Sequence, residues 1–189
     1  YTGEEAVASS ICAQLTDQDY IASTHRGHGH CIAKGAELDK ALAELMGKDT
    51  GYCHGRSGSM HIADFTKGNL GANAIVGGGI PIATGAGLSI KMQHKPNVAV
   101  AFFGDGASNQ GTFHESINMA AVWKLPVIYV CENNQFGMTV PVEQSTSVKD
   151  ISVRAAAYNI AGETVDGNDV VAVYEAFARA KERALKGEG

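Results

Sequence analysis

Long apolar runs are missing from this sequence, and so is any excess of positive charge. No uninterrupted apolar stretch approaches the ~18 residues that suggest a bilayer-spanning helix, so no membrane segment is expected. Fifteen lysines and arginines stand against twenty acidic residues, a net charge of −5. Such a balance offers no basic face for a phosphate backbone, and nucleic acid is not an expected partner. No basic-then-apolar segment opens the chain, so no secretory signal is read. The four cysteines, Cys12, Cys31, Cys53 and Cys131, form no CxxC pair. Scattered free thiols suit a reducing compartment, and the expected location is cytoplasmic. Neither G-x-x-x-x-G-K-[ST] nor G-x-G-x-x-G follows a strand-like run, which argues against the common nucleotide loops. His25, His28 and His30 fall close together, but their spacing matches no zinc pattern. Repeats and low-complexity tracts are absent as well.

What is present suits a buried core. The chain has 189 residues, 44% of them apolar and 19% charged, enough for one well-packed domain. It opens at Tyr1 without an initiator methionine, in a segment that reads as a helix already under way. It ends just after a long amphipathic helix, so an interior portion of a longer polypeptide is expected. The expected organisation is a single domain over 1–189, incomplete at both ends. It has an irregular N-terminal third, about 1–80, and an α/β core, about 81–189.

Periodicity predicts helices at Glu4–Leu15, across "AELDKALAELMG" with Leu38, Leu42 and Leu45 at helical spacing, at Pro81–Gln93 and at Gly111–Trp123. Short Val- and Phe-rich runs, Asn97–Phe103 and Pro126–Glu132, read as buried parallel strands. Asp150–Tyr158 reads as a short helix and "NIAGETV" as a third strand. A final helix from Val170 is capped by Asn168 or Asp169. Alternating strands and helices predict a doubly wound α/β fold, a mostly parallel sheet with helices on both faces. The stretch 48–80 has many glycines and little periodicity. A loop of that length is usually functional or disordered.

The chemistry gathers where the two strands end. Asp105 follows the first between two glycines, and Asn133–Asn134 follow the second, 29 positions later (134 − 105). Both residue types are also common in turns. Ligands of an open parallel sheet bind beyond the carboxyl ends of its strands, which lie about 5 Å apart. A carboxylate and a carboxamide oxygen meeting there are hard ligands of the kind Mg²⁺ or Ca²⁺ takes, and Mg²⁺ completes its octahedron with phosphate oxygens and water. The amides of Gly106 and Ala107, opening onto the next helix, suit the phosphate itself.

The run "GDGASNQGTFHESINMAAVWKLPVIYVCENNQFGM" resembles the thiamin-diphosphate signature that begins GDG and ends NN. With "YTGEEAVA", "THRGHGHCIAKG", "GSMHIAD" and "NAIVGGGIP", nearly the whole chain is similar to the alpha subunits of the decarboxylating component of 2-oxo acid dehydrogenase complexes. It looks closest to the acetoin branch, with the pyruvate branch next; a branched-chain 2-oxo acid enzyme and a non-catalytic cofactor-binding fragment are the other readings. The resemblance implies a thiamin-diphosphate-binding fold and the domain of it that holds the diphosphate. It implies thiamin diphosphate and Mg²⁺ as cofactors, a small-molecule substrate, a beta subunit in an α₂β₂ tetramer and a lipoyl-bearing acyltransferase as acceptor of the product.

Carried onto this chain, the resemblance makes the side chains of Asp105 and Asn134 and the carbonyl of Phe136 the metal ligands. Gly106, Ala107 and Arg26 would hold the diphosphate, a task that suits a bidentate guanidinium. The Ala74 carbonyl would accept from the aminopyrimidine, and Val76 would be the apolar wedge beneath the cofactor. His25 stands where the pyruvate branch more often has tyrosine, and Ala74 where the family more often has glycine. His28 is the candidate proton carrier, since histidine titrates near neutrality.

Overall fold

The computed structural model, which describes residues 1–188, is built on four parallel strands. In chain order the elements are α1 (Glu5–Cys12), β1 (Tyr20–Thr24), α2 (His28–Ala33), α3 (Leu38–Leu45), β2 (Asn69–Asn73), α4 (Gly79–Met92) and β3 (Ala99–Gly104). They continue with α5 (Gly111–Trp123), β4 (Val127–Glu132), the two-residue strands β5 (Phe136–Gly137) and β6 (Val140–Pro141), α6 (Val142–Ser145) and α7 (Val170–Leu185). The main sheet runs β2-β1-β3-β4, every pair parallel, and β5–β6 form a small antiparallel hairpin.

The central strand β3 shows why this sequence makes two layers of helix. Ala99, Ala101 and Phe103 point to one face, where they meet Ile80, Ala83 and Ile90 of α4 and Phe113, Ile117 and Ala120 of α5. Val98, Val100 and Phe102 point to the other, onto Ile11 of α1 and Val173, Phe177 and Ala184 of α7. A strand buried on both sides needs apolar residues at every position, and "VAVAFF" supplies them with period-two alternation. The doubly wound arrangement with helices on both faces is therefore the one expected. Asp169 takes the cap of α7, its Oδ1 accepting from Val171 N at 3.0 Å and Ala172 N at 3.1 Å.

Two expectations need correction. The N-terminal third is not irregular: β1, β2 and α2 lie within it, and half of the sheet comes from there. "NLGAN" has poor strand propensity, and β2 exists because β1 offers it a ladder, Ile21 opposite Asn69 and Thr24 opposite Asn73. "NIAGETV" is not a strand. Asn159 turns the chain into the left-handed region (φ 56°), and Gly162 presses its backbone against Ser152 of the preceding 3₁₀ helix. The leucine stripe of α3, Leu38, Leu42 and Leu45, stands exposed, whereas Glu44 on the same helix is buried. On α4 a side chain on Gly87 would collide with Val127, while Gly85 faces open space.

Glu44 organises much of the glycine-rich stretch. Its Oε2 accepts from the amides of Cys53 (2.8 Å) and Gly55 (2.9 Å). Its Oε1 accepts from Ser57 N (2.8 Å), Ser57 Oγ (2.8 Å) and Gly58 N (3.1 Å). Burial pushes this carboxyl up, but the converging donors outweigh it and hold it down at about 2.

Candidate active site

All four strands of the main sheet are parallel, so their carboxyl ends share one edge. β1 ends at Thr24, directly before His25 and Arg26. β2 ends at Asn73, directly before Ala74 and two residues further Val76. β3 ends at Gly104, before Asp105, Gly106 and Ala107, and β4 ends at Glu132, before Asn133 and Asn134. The register sets Gly104 opposite Glu132 and Thr24 opposite Asn73. The sheet thus gathers every residue singled out for cofactor or metal, the exceptions being Phe136, on the hairpin, and His28, on α2.

Asp105 is the most informative of them. Its side chain is 1% exposed, and its Oδ2 is buried with no hydrogen-bond partner. Burial pushes its carboxyl up. An orphaned buried carboxylate oxygen is costly and rare, and a cation coordinated there would remove the cost. The residues after Asp105 form a 3₁₀ turn, Asp105–Asn109, rather than the first turn of α5. Gly106 and Ala107 therefore offer their amides from the head of that turn, where N–H groups lack partners within the helix. Arg154 fastens the turn from outside, reaching Ser108 O at 2.5 Å and Asn109 Oδ1 at 2.8 Å.

The opposite wall is the segment after β4. Asn134 is exposed, with Nδ2 donating to Glu4 Oε1 at 3.0 Å and Oδ1 accepting from Phe136 N at 3.2 Å. β5 then returns across the turn: an ideal Cβ on Gly106 would stand 3.6 Å from Gly137 Cα, so two backbones pass at van der Waals distance.

Val76 is 52% exposed and Ile75 beside it 73%, an apolar bump facing outward from the strand edge. Asn73 closes the turn beneath them, its Oδ1 accepting from Ile75 N at 2.9 Å. Gly77, at φ +79°, lies against Gln110 and Thr112 at the head of α5, so this bump sits beside the Asp105 turn. His25 and Arg26 are exposed. His28 is half-buried and its Nε2 lies 3.0 Å from Ser59 O, so its ring engages the Glu44-supported loop rather than a strand-end group. His25, His28 and His30 do not converge. Among the described residues no three His, Cys, Asp or Glu side chains group as a metal would need.

Sequence reasoning missed a buried polar cluster beneath this edge, in which His30 and Glu132 meet at 3.1 Å. The nearest signal was a histidine and a glutamate inside otherwise apolar or glycine-rich runs.

Comparison with known proteins identifies the family. The family profile described as "Dehydrogenase E1 component" matches residues 1–189. The chain belongs to that family. It is 59% identical over 189 residues to the alpha subunit of the acetoin:2,6-dichlorophenolindophenol oxidoreductase of Bacillus subtilis, covering 100% of this chain and 57% of that protein. Its counterpart from Cupriavidus necator is 52% identical with the same coverage. The pyruvate dehydrogenase E1 component subunit alpha of Porphyra purpurea is 42% identical over 196 residues, covering all of this chain and 57% of that one. The E1 chain described here therefore spans little more than half the length of these relatives. Among solved structures, benzoylformate decarboxylase from Polynucleobacter necessarius superposes with a TM-score of 0.60 at 17% identity, over 95% of this chain and 31% of that one. A thiamin diphosphate-dependent enzyme from Mycobacterium smegmatis gives 0.57 at 19%, over 94% of this chain and 29% of that one. These two likenesses show a shared fold.

Proposed function

We propose that this E1 chain is the diphosphate-holding part of the alpha subunit of a thiamin diphosphate- and Mg²⁺-dependent dehydrogenase. It would act with a beta subunit in an α₂β₂ assembly. The observation that carries this reading is the buried, partnerless Oδ2 of Asp105 at the shared strand edge, opposite the Asn133–Asn134 turn. Asp105 and Asn134, with the Phe136 carbonyl, would hold Mg²⁺. Such a donor set, all oxygen and few in number, is the kind Mg²⁺ takes when phosphate and water complete its shell. The free amides of Gly106 and Ala107 and the exposed guanidinium of Arg26 would neutralise the diphosphate. His25 would line the same side. The Ala74 carbonyl and the Val76 side chain would fix the tilt of the rest of the cofactor. His28 would move protons at the rim of the site. When bound, thiamin diphosphate supplies the electron sink for cleavage next to a carbonyl.

Acetoin is the favoured substrate, with the cleaved two-carbon unit passing to a lipoyl group on an acyltransferase. Support comes from relatives: those named for acetoin are 59% and 52% identical, and the pyruvate-named one 42%. A cytoplasmic location belongs to the same proposal and agrees with four free cysteines. The test is dye reduction by the chain with its cognate beta subunit on acetoin, pyruvate and branched 2-oxo acids. Turnover confined to pyruvate would move the protein to the pyruvate branch. Failure to bind Mg²⁺ and thiamin diphosphate by calorimetry would end the reading.

A further inference from the structure

One imidazole ties together three strands. His30 on α2 is fully buried. Its Nδ1 lies 2.8 Å from Ser23 Oγ on β1, and its Nε2 lies 3.1 Å from Glu132 Oε1 at the end of β4 and 2.9 Å from the Tyr1 hydroxyl. Its ring stacks on Phe102 of β3 with centroids 3.7 Å apart. The Tyr1 hydroxyl also donates to Glu132 Oε1. A carboxylate can only accept, so the phenol proton is committed to Glu132. Nε2 must then carry the hydrogen it shares with that carboxylate and the phenol oxygen, while Nδ1 pairs with Ser23 Oγ.

The glycines of "RGHGH" make room for this arrangement. A side chain on Gly27 would collide with Ser23 Oγ, and one on Gly29 with the Tyr1 ring. Each partner stands next to a residue assigned to the cofactor. Ser23 is three positions before Arg26, and Glu132 is two before Asn134 and opposite Gly104, the neighbour of Asp105. Glu4, three positions after Tyr1, accepts from Asn134 itself. Stability alone does not explain such a cluster, because a well-packed apolar set of the same volume is often as stable as a buried ionic one. A satisfied polar network does fix geometry, since its partners tolerate little displacement.

We propose that His30, Glu132 and Tyr1 are positioning residues that clamp the Arg26-bearing turn after β1 to the Asn134-bearing turn after β4. The clamp sets the span across which cation and diphosphate are held. None of the three needs to touch the cofactor. The inference rests on the diphosphate-site reading above. The test compares Tyr1→Phe, Glu132→Gln and His30→Gln with Asp105→Asn as the control for the site itself. Each chain is titrated calorimetrically with thiamin diphosphate at several Mg²⁺ concentrations, and thermal unfolding of the cofactor-free chains is recorded beside it.

Tyr1→Phe and Glu132→Gln are expected to weaken binding roughly 10- to 100-fold and to raise the Mg²⁺ requirement, the range seen when residues that orient metal ligands are lost. Cofactor-free melting should stay near that of the parent. His30→Gln, whose amide can still donate to Glu132, should fall between the two. Unchanged affinity in Tyr1→Phe and Glu132→Gln, with binding abolished in Asp105→Asn, would overturn the clamp and leave the site standing. An affinity loss that only follows a lowered melting temperature would overturn it too. Unchanged affinity in Asp105→Asn would remove the site and the clamp together.

Discussion

Replacing Glu44 by glutamine tests whether one carboxylate shapes the loop from Cys53 to Gly58. The two oxygens divide their donors, with two amides on Oε2 and two amides plus a hydroxyl on Oε1. A glutamine keeps one acceptor oxygen and turns an N–H₂ toward the other group. At least two charge-assisted bonds are then unmade, and two buried donors face a donor. At about 1.5 kcal/mol for each such bond, the loss is about 3 kcal/mol. The pH dependence supplies a second signature. The folded carboxyl is depressed from an ordinary 4.5 to about 2. A depressed acid contributes stability that is fully present above its unfolded value and lost as pH falls through its folded value. Wild-type stability should therefore decline between about pH 4.5 and pH 2 more steeply than that of Glu44→Gln, which has no such proton to bind. Urea unfolding at a series of pH values measures both effects, and trypsin cleavage after the exposed Arg56 reports local loosening. A variant within about 0.5 kcal/mol of wild type, the scatter of ordinary surface substitutions, with an unchanged acid slope would refute the reasoning.

Other expectations follow from the same coordinates. Asp105→Ala should abolish Mg²⁺-dependent binding of thiamin diphosphate in calorimetry while circular dichroism stays native, and Asn134→Ala should act in the same direction less severely. Val76→Ala should lower turnover of the assembled enzyme more than cofactor affinity, since a wedge acts on the reactive conformation and not on the anchor; the reverse pattern would make Val76 an ordinary packing residue. Phe177→Ala, in the core between α7 and β3, should cost about 3–5 kcal/mol in urea unfolding. Among the thiols, Cys12 and Cys131 are pushed up to about 12 and Cys31 to about 11 by burial. Native protein should react quickly with a disulfide reagent at Cys53 alone, which mass mapping of the modified residue would check.

The core strands were legible because β3 and β4 are apolar up to their last residue, a pattern that depends on little beyond the strand itself. β1 and β2 were not, because "YIAST" and "NLGAN" become strands only when paired with each other and with β3. The strand-end residues Asp105 and Asn134 could be read from sequence because glycines and apolar runs bracket them. His30 and Glu132 could not be joined from sequence, since 102 positions separate them and their meeting depends on the β1–β3–β4 order. "NIAGETV" misled for the converse reason: its composition suits a strand, but no described strand pairs with it. The exposed leucines of α3 show the same limit, since periodicity reveals a stripe but not which side is covered.

The common edge on which β1–β4 finish also bears on how this chain tolerates changes in length. Residues assigned to the cofactor on the main sheet lie within three positions of the last residue of a strand, so the ladder itself meters their placement. At the opposite edge, the connections before β3 and β4 reach no assigned residue. An added residue there, around 95–97 or 124–126, would be absorbed as a longer loop with small entropic cost. An added residue between Gly104 and Asp105 would rotate the carboxylate off its place. Alignments that stretch from 189 residues to 196 or 198 in relatives show that length does drift in this family. Insertion scanning across this chain should therefore read as a map of the sheet's two edges, permissive along one and intolerant along the other.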